Sequence, residues 1–315
     1  MRKLLLLLLL LIFWTNITAS SNIKVAVVYS IGGLGDEGYN DLVHKGLNEA
    51  KKELGIDFDY YEPADPTKES EQQLKNYAES GEYELILTVG FSVKDSLVKI
   101  AQEYPEQRFA IIDEVVDNAD NIISITFNVE DESFLAGIVA GLKTKTGNVG
   151  FIGGSESPLI TKYESGFKKG AKYINKDIKV LVSYLGGYNA FYNPKLAEEK
   201  TNVLIKKNAD VFYHAAGASG QGVINSAKKN GKYVIGVDSD QNWMDEEVVL
   251  ASAVKNIDIA VYDIIKKLAD RTLENKIYIY GLDEGGVGLV LGKKEIIGRE
   301  NAEKIKEIEI KKVKY

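Results

Sequence analysis

The sequence predicts an α/β protein of two similar lobes, each a doubly wound parallel sheet covered by helices. Apolar runs of strand character alternate with helical patterns over most of the chain, which is the signature of parallel sheets with helices on both faces. The alternation starts afresh near residue 149, and 315 residues suffice for two domains of about 100–150 residues each.

The first series places strands at residues 24–29, 57–61, 85–89 and 108–112, with helices at 40–54, 68–79 and 94–103. A strand at 122–127 and a helix at 132–143 lead into the second series, whose strands fall at 149–152, 179–184, 210–213 and 233–237. Another short apolar strand ends at Lys255, and an amphipathic stretch covers 257–273. Short strands follow at 277–280 and 288–291, and the tail 305–315 mixes charged and apolar residues. No Pro-rich or Gly/Ser-rich linker separates the lobes, so the chain is expected to cross between them in short ordered segments. Residues 22–128 and 256–283 are assigned to the first lobe, 129–255 and 284–315 to the second. The cleft between the lobes is the natural ligand site.

Arg2 and Lys3 precede an unbroken apolar run from Leu4 to Trp14 and then a small, polar segment, which reads as a secretory signal peptide over residues 1–21. That run of 11 residues is well short of the roughly 20 needed to span a bilayer. The protein is therefore expected to be exported, either periplasmic or associated with the cell surface. The formal charge of −7 becomes −9 when Arg2 and Lys3 leave with the leader. An acidic balance without a basic cluster argues against nucleic acid and anionic lipid as partners. Cysteine is absent, which removes disulfides, thiol nucleophiles, thiol metal ligands and a lipid anchor through cysteine.

The segment YVIGVDSDQ, 233–241, empties a buried strand into a loop with two carboxylates, where open α/β sheets bind their ligands. On an extended backbone Asp238 and Asp240 face the same side and suit a neutral polyol. GLGDEG, 33–38, is a literal G-x-G-x-x-G with Asp57, Asp59 and Glu62 about 20 residues on, the arrangement of a dinucleotide fold. Asp36 and Glu37 stand where a pyrophosphate would meet the helix N-terminus, so a plain glycine-rich turn is preferred. Tyr39 and Asn40 follow it and offer an aromatic face beside an amide, suited to a planar heteroatom-rich ring. Asp113 ends a strand two units later and can accept from ring N–H groups.

In the second half, HAAGASGQG, 214–222, forms the equivalent turn after Tyr213, and Gly217, Gly220 and Gly222 allow close backbone approach. His214 and His44 lack metal or triad partners and read as structural histidines. Lys255 ends a short apolar strand; facing Asp238, the pair would clamp two hydroxyls. Phe191 and Tyr192, in GGYNAFYNP, are read as loop packing.

Taken together, GLGDEGYND (33–41), FAIID (109–113), ESFLAGIVAG (132–141), VGFIGG (149–154), ESGFKKGA (164–171), HAAGASGQGV (214–223), IGVDSDQ (235–241) and the Lys255 segment resemble the basic membrane protein family of ABC-transporter substrate-binding proteins. The resemblance spans nearly the whole chain and implies a type I periplasmic-binding-protein fold. In nucleoside-binding members, it implies, the base stacks between two aromatic rings while an Asp and an Asn bond its edge. Tyr39 and Asn40 fit the first-lobe aromatic and amide, Asp113 the base-bonding acid and Tyr213 the second-lobe aromatic. Asp238 and Lys255 would hold the ribose, with the Gly217 loop close by. The family commonly shows Phe where this chain has Tyr39. The implied protein is a monomeric receptor that closes on a nucleoside of purine type and passes it to a membrane permease, with no cofactor, metal or catalysis. The residues leave open a riboflavin or sugar receptor of the same fold, and an exported nucleoside hydrolase.

Overall fold

The computed structural model describes residues 23–313 apart from 66, 67 and 188, so the expected signal peptide lies outside the described residues. In the first half β1 (Lys24–Val28), β2 (Asp57–Tyr61), β3 (Leu85–Val89), β4 (Phe109–Ile112) and β5 (Ile122–Phe127) alternate with α1 (Tyr39–Leu54), α2 (Lys68–Ser80) and α3 (Lys94–Glu103). Helix α4 (Val129–Lys143) opens the second half, where β6 (Asn148–Gly153), β7 (Lys179–Tyr184), β8 (Val211–Ala215), β9 (Tyr233–Asp238) and β10 (Val249–Lys255) follow. There α5 (Pro158–Ile174), α6 (Pro194–Lys206) and α7 (Gly220–Lys229) make the connections. The chain ends with α8 (Ile257–Ala269), β11 (Ile277–Tyr280), β12 (Val287–Leu291), α9 (Lys294–Ile297) and α10 (Arg299–Val313).

The strands form two six-stranded sheets, ordered β11-β5-β4-β3-β1-β2 and β12-β10-β9-β8-β6-β7. Each lobe thus repeats one order, and β4 in the first sheet corresponds to β9 in the second. Central strands such as β3 (LILTV) and β4 (FAII) are buried along their whole length, as strands covered on both faces require. Edge strand β2 (DFDYY) carries its charges outward. One strand departs from the expected parallel pattern: β12 runs antiparallel to β10, with Val287 opposite Lys255. The chain enters the second sheet from the cleft end of β11, so β12 can only run away from the cleft.

Three short segments join the lobes. Asn128 N–H donates to the Tyr280 carbonyl at 3.0 Å and Asn256 N–H to that of Gly286 at 2.8 Å, tying the crossings together. Two helices cross with the chain. Helix α8 packs on α1 of the first lobe, with Asp258 paired to Lys45, and α4 packs on α5 of the second. The α4–α5 contact is glycine-lined: a Cβ on Gly170 would lie 1.9 Å from the Phe134 carbonyl oxygen, and one on Gly137 2.2 Å from that of Phe167. Backbones therefore touch directly. Helices α5 and α6 start on Ser157 and Asn193, whose side chains accept the Ile160 and Leu196 N–H groups ahead of a first-turn proline.

Candidate ligand-binding site

The glycine-rich turn after β1 is held by its own acids. Asp36 accepts the N–H groups of Gly38 at 3.0 Å and Asn40 at 2.8 Å. Asp41 accepts those of Gly35 and Glu37, and Glu62 that of Leu34. Amides that a dinucleotide turn would offer to a pyrophosphate are thus already occupied. Asn40 is part of the same brace: its Oδ1 accepts from the Ser30 N–H and hydroxyl, and its Nδ2 donates to the Gly33 carbonyl. Its amide is spent on the loop and does not line the cleft.

At the carboxyl ends of the central strands Asp113, following β4, and Asp238, ending β9, occupy equivalent places in the two sheets. Both have left-handed backbone, φ 66° and 62°, a conformation that Asp tolerates better than most residues and that concentrates at functional sites. Lys255, the last residue of β10 and buried, places its Nζ 2.6 Å from Asp113 Oδ2 and 3.4 Å from Asp238 Oδ1. The lysine expected to face Asp238 therefore bridges both lobes, and its shorter contact is to Asp113. Burial opposes its charge, but Asp113 and Asp238 more than offset this and hold the ammonium above its usual range. Rings of Tyr39, Phe127 and Tyr163 surround Nζ with centroids at 4.6, 5.7 and 5.7 Å, adding cation–π attraction.

Above this group opens a cleft of about 310 Å³ between the lobes, lined among others by Tyr39, Phe91, Asp113, Ser155, Phe191 and Asp238. Phe91 begins the 3₁₀ turn after β3, and Phe191 lies in the loop between β7 and α6. Their ring centroids stand 6.4 Å apart at 68°, one ring from each lobe. Gly217, at φ 53°, holds the second ring: a Cβ there would lie 3.1 Å from the Phe191 carbonyl oxygen, and the Ser219 N–H donates to that same oxygen. The Tyr39 hydroxyl, Asp113 Oδ1 and Ser155 Oγ are buried without a protein partner. Those groups leave hydrogen-bonding capacity for a polar ligand.

Tyr39, Asp113, Gly217, Asp238 and Lys255 thus meet at one cleft, while Asn40 and Tyr213 lie outside its lining. β8 continues through His214 to Ala215, two residues past its expected end, so Tyr213 points into the core. It packs on Phe151 and Phe167 and shares a hydrogen bond with Ser133. Phe191, read as loop packing, stands in the cleft instead. Asp240 does not share a face with Asp238, because the left-handed turn at Asp238 ends the alternation; it accepts from Asn242 N–H and Nδ2. His214 is buried and bonded to Gln241, and burial lowers it to about 4, so its ring is neutral.

Comparison with known proteins decides the family. The family described as Bmp, ABC transporter substrate-binding protein PnrA-like, matches residues 23–315. This chain belongs to the Bmp family. It is similar to the ABC transporter nucleoside-binding protein BmpA of Lactococcus lactis subsp. cremoris, 33% identical over 86% of this chain and 82% of that protein. An uncharacterized lipoprotein of Pyrococcus abyssi is 32% identical over 86% of this chain and 70% of its own length. Among solved structures, an ABC-transporter solute-binding protein of Aeropyrum pernix K1 superposes with a TM-score of 0.83 at 27% identity, covering 93% of this chain and 91% of that one. The Bmp protein is accordingly a substrate-binding component of an ABC transporter with the type I periplasmic-binding fold, not an enzyme, and its partners are a ligand and a membrane permease.

Proposed function

We propose that this Bmp protein is an exported receptor that binds a purine nucleoside in the interlobe cleft. The observation that carries the reading is the pairing of Phe91 and Phe191, one ring from each lobe, above the buried Asp113–Lys255–Asp238 group. The rings meet edge-on at 68°, and each offers an aromatic surface suited to a planar base. The charged group suits the sugar hydroxyls, with carboxylates accepting and the ammonium donating, and the unpartnered Tyr39 hydroxyl and Asp113 Oδ1 are available to the ligand's remaining polar atoms. The name of the Lactococcus relative supports the same ligand class. Export rests on the leader-like residues 1–21. The Pyrococcus relative is called a lipoprotein, whereas the sequence here contains no cysteine.

The test is the molecule that co-purifies. Protein denatured after purification is expected to release a purine nucleoside identifiable by mass spectrometry. A flavin or a free sugar in stoichiometric amount would contradict the assignment.

A further inference from the structure

One buried acid stands outside the cleft lining. Glu132, in the first turn of α4, is fully buried and absent from the cleft lining, with the Tyr163 hydroxyl beside its carboxylate. The titratable groups that act on it are Lys255 of β10, Asp238 at the end of β9, Asp113 beyond β4, Tyr163 of α5 and Tyr213 of β8; the charged helix α10 packs on the other end of α4, where Asn301 and Ile305 meet Val139 and Leu142. Strand β12, also packed against α4, presents no titratable side chain. One ammonium therefore stands among three carboxylates. Two of these are within 3.4 Å of it, and ionising the third would leave two uncompensated negative charges in the interior.

We propose that Glu132 is a positioning residue for ligand binding: held as a neutral carboxylic acid, it leaves the Lys255 ammonium to Asp113 and Asp238, where the ligand meets it. Burial pushes Glu132 well above the usual carboxylate range; Asp238 and Asp113 add to the effect, and Lys255 opposes it. An ionised Glu132 would compete for the ammonium and draw it away from the cleft. The protein's affinity then depends on pH with a definite sign, intact while the acid keeps its proton and lost as rising pH removes it.

Glutamine is the matched substitution, because it keeps the size and the neutral polar end of the acid. This inference rests on the nucleoside reading only for its probe, adenosine. Calorimetric titration of the full-length protein from about pH 6 to pH 9 should show affinity falling at least about tenfold at the alkaline end. Glu132→Gln should match the unaltered protein within about twofold at neutral pH and lose its alkaline decline. A variant about tenfold or more weaker at neutral pH, or alkaline profiles that coincide, would overturn the proposal. If adenosine binds neither protein, the nucleoside reading fails and infrared spectroscopy decides the Glu132 assignment. A protonated-carboxyl C=O band present at neutral pH and removed by Glu132→Gln supports it; a carboxylate signal removed by the same substitution overturns it.

Discussion

Asp113 and Asp238 do the same thing in two sheets: each turns a buried strand into left-handed backbone and leaves its carboxylate at the cleft floor. One lysine serves both. Breaking a buried pair by removing one partner costs about 3–5 kcal/mol, so substitutions of Lys255 confound folding with binding. Phe191 separates the two effects, because it is only partly buried and its ring contacts Phe91 across the cleft. Phe191→Ala is expected to weaken adenosine binding by roughly tenfold to hundredfold, from stacking of about 1–3 kcal/mol per base. Calorimetry and a thermal melt would check this, the melting temperature changing little. The two aspartates were legible because each directly follows an apolar run, and Lys255 because it ends one. Phe91 was not, since a phenylalanine after a buried strand reads as core. Glu132 was missed for a different reason: an acid in a first helical turn reads as a partner for the helix dipole.

At the scale of elements, the α4–α5 contact sets the distance between the Glu132 helix and the Tyr163 helix. Gly170 and Gly137 allow it by letting carbonyls approach where any Cβ would collide. Gly170→Ala is expected to destabilise the protein by about 1–3 kcal/mol through overpacking, read as a lowered midpoint in denaturant. Leu142→Ala, toward the far end of α4, should leave adenosine affinity unchanged while Gly170→Ala weakens it. Most strands of the first sheet were legible from apolar runs, with ends within a residue or two. The end of β8 was not: the polar His214 seemed to close the run, whereas its Gln241 bond satisfies it inside the sheet and carries Tyr213 into the core. The C-terminal helix α10 was also hidden, because its apolar residues are few among charges and its pattern is that of a solvated surface.

Over the whole molecule, the repeated strand order and the three bonded crossings flank one cleft between two lobes. Contacts between lobes are already made beside the cleft: the Ser239 hydroxyl donates to the Glu37 carbonyl of the glycine-rich turn, and Lys255 reaches Asp113. The two-lobed α/β plan was legible in the restarted alternation of strands and helices; the antiparallel β12 was not, because its direction follows from where the chain enters the second sheet. The central claim is that the cleft reads a ring and a sugar together. A cleft that commits buried charges to hydroxyls leaves them poorly matched when the sugar is missing. The most direct measurement is calorimetric titration of refolded, ligand-stripped protein with adenosine and, separately, with adenine. Adenosine is expected to bind at least about a hundredfold more tightly than adenine, a difference of about 2.7 kcal/mol. Equal affinity for the two, or no binding of adenosine, inosine or guanosine, would contradict the account.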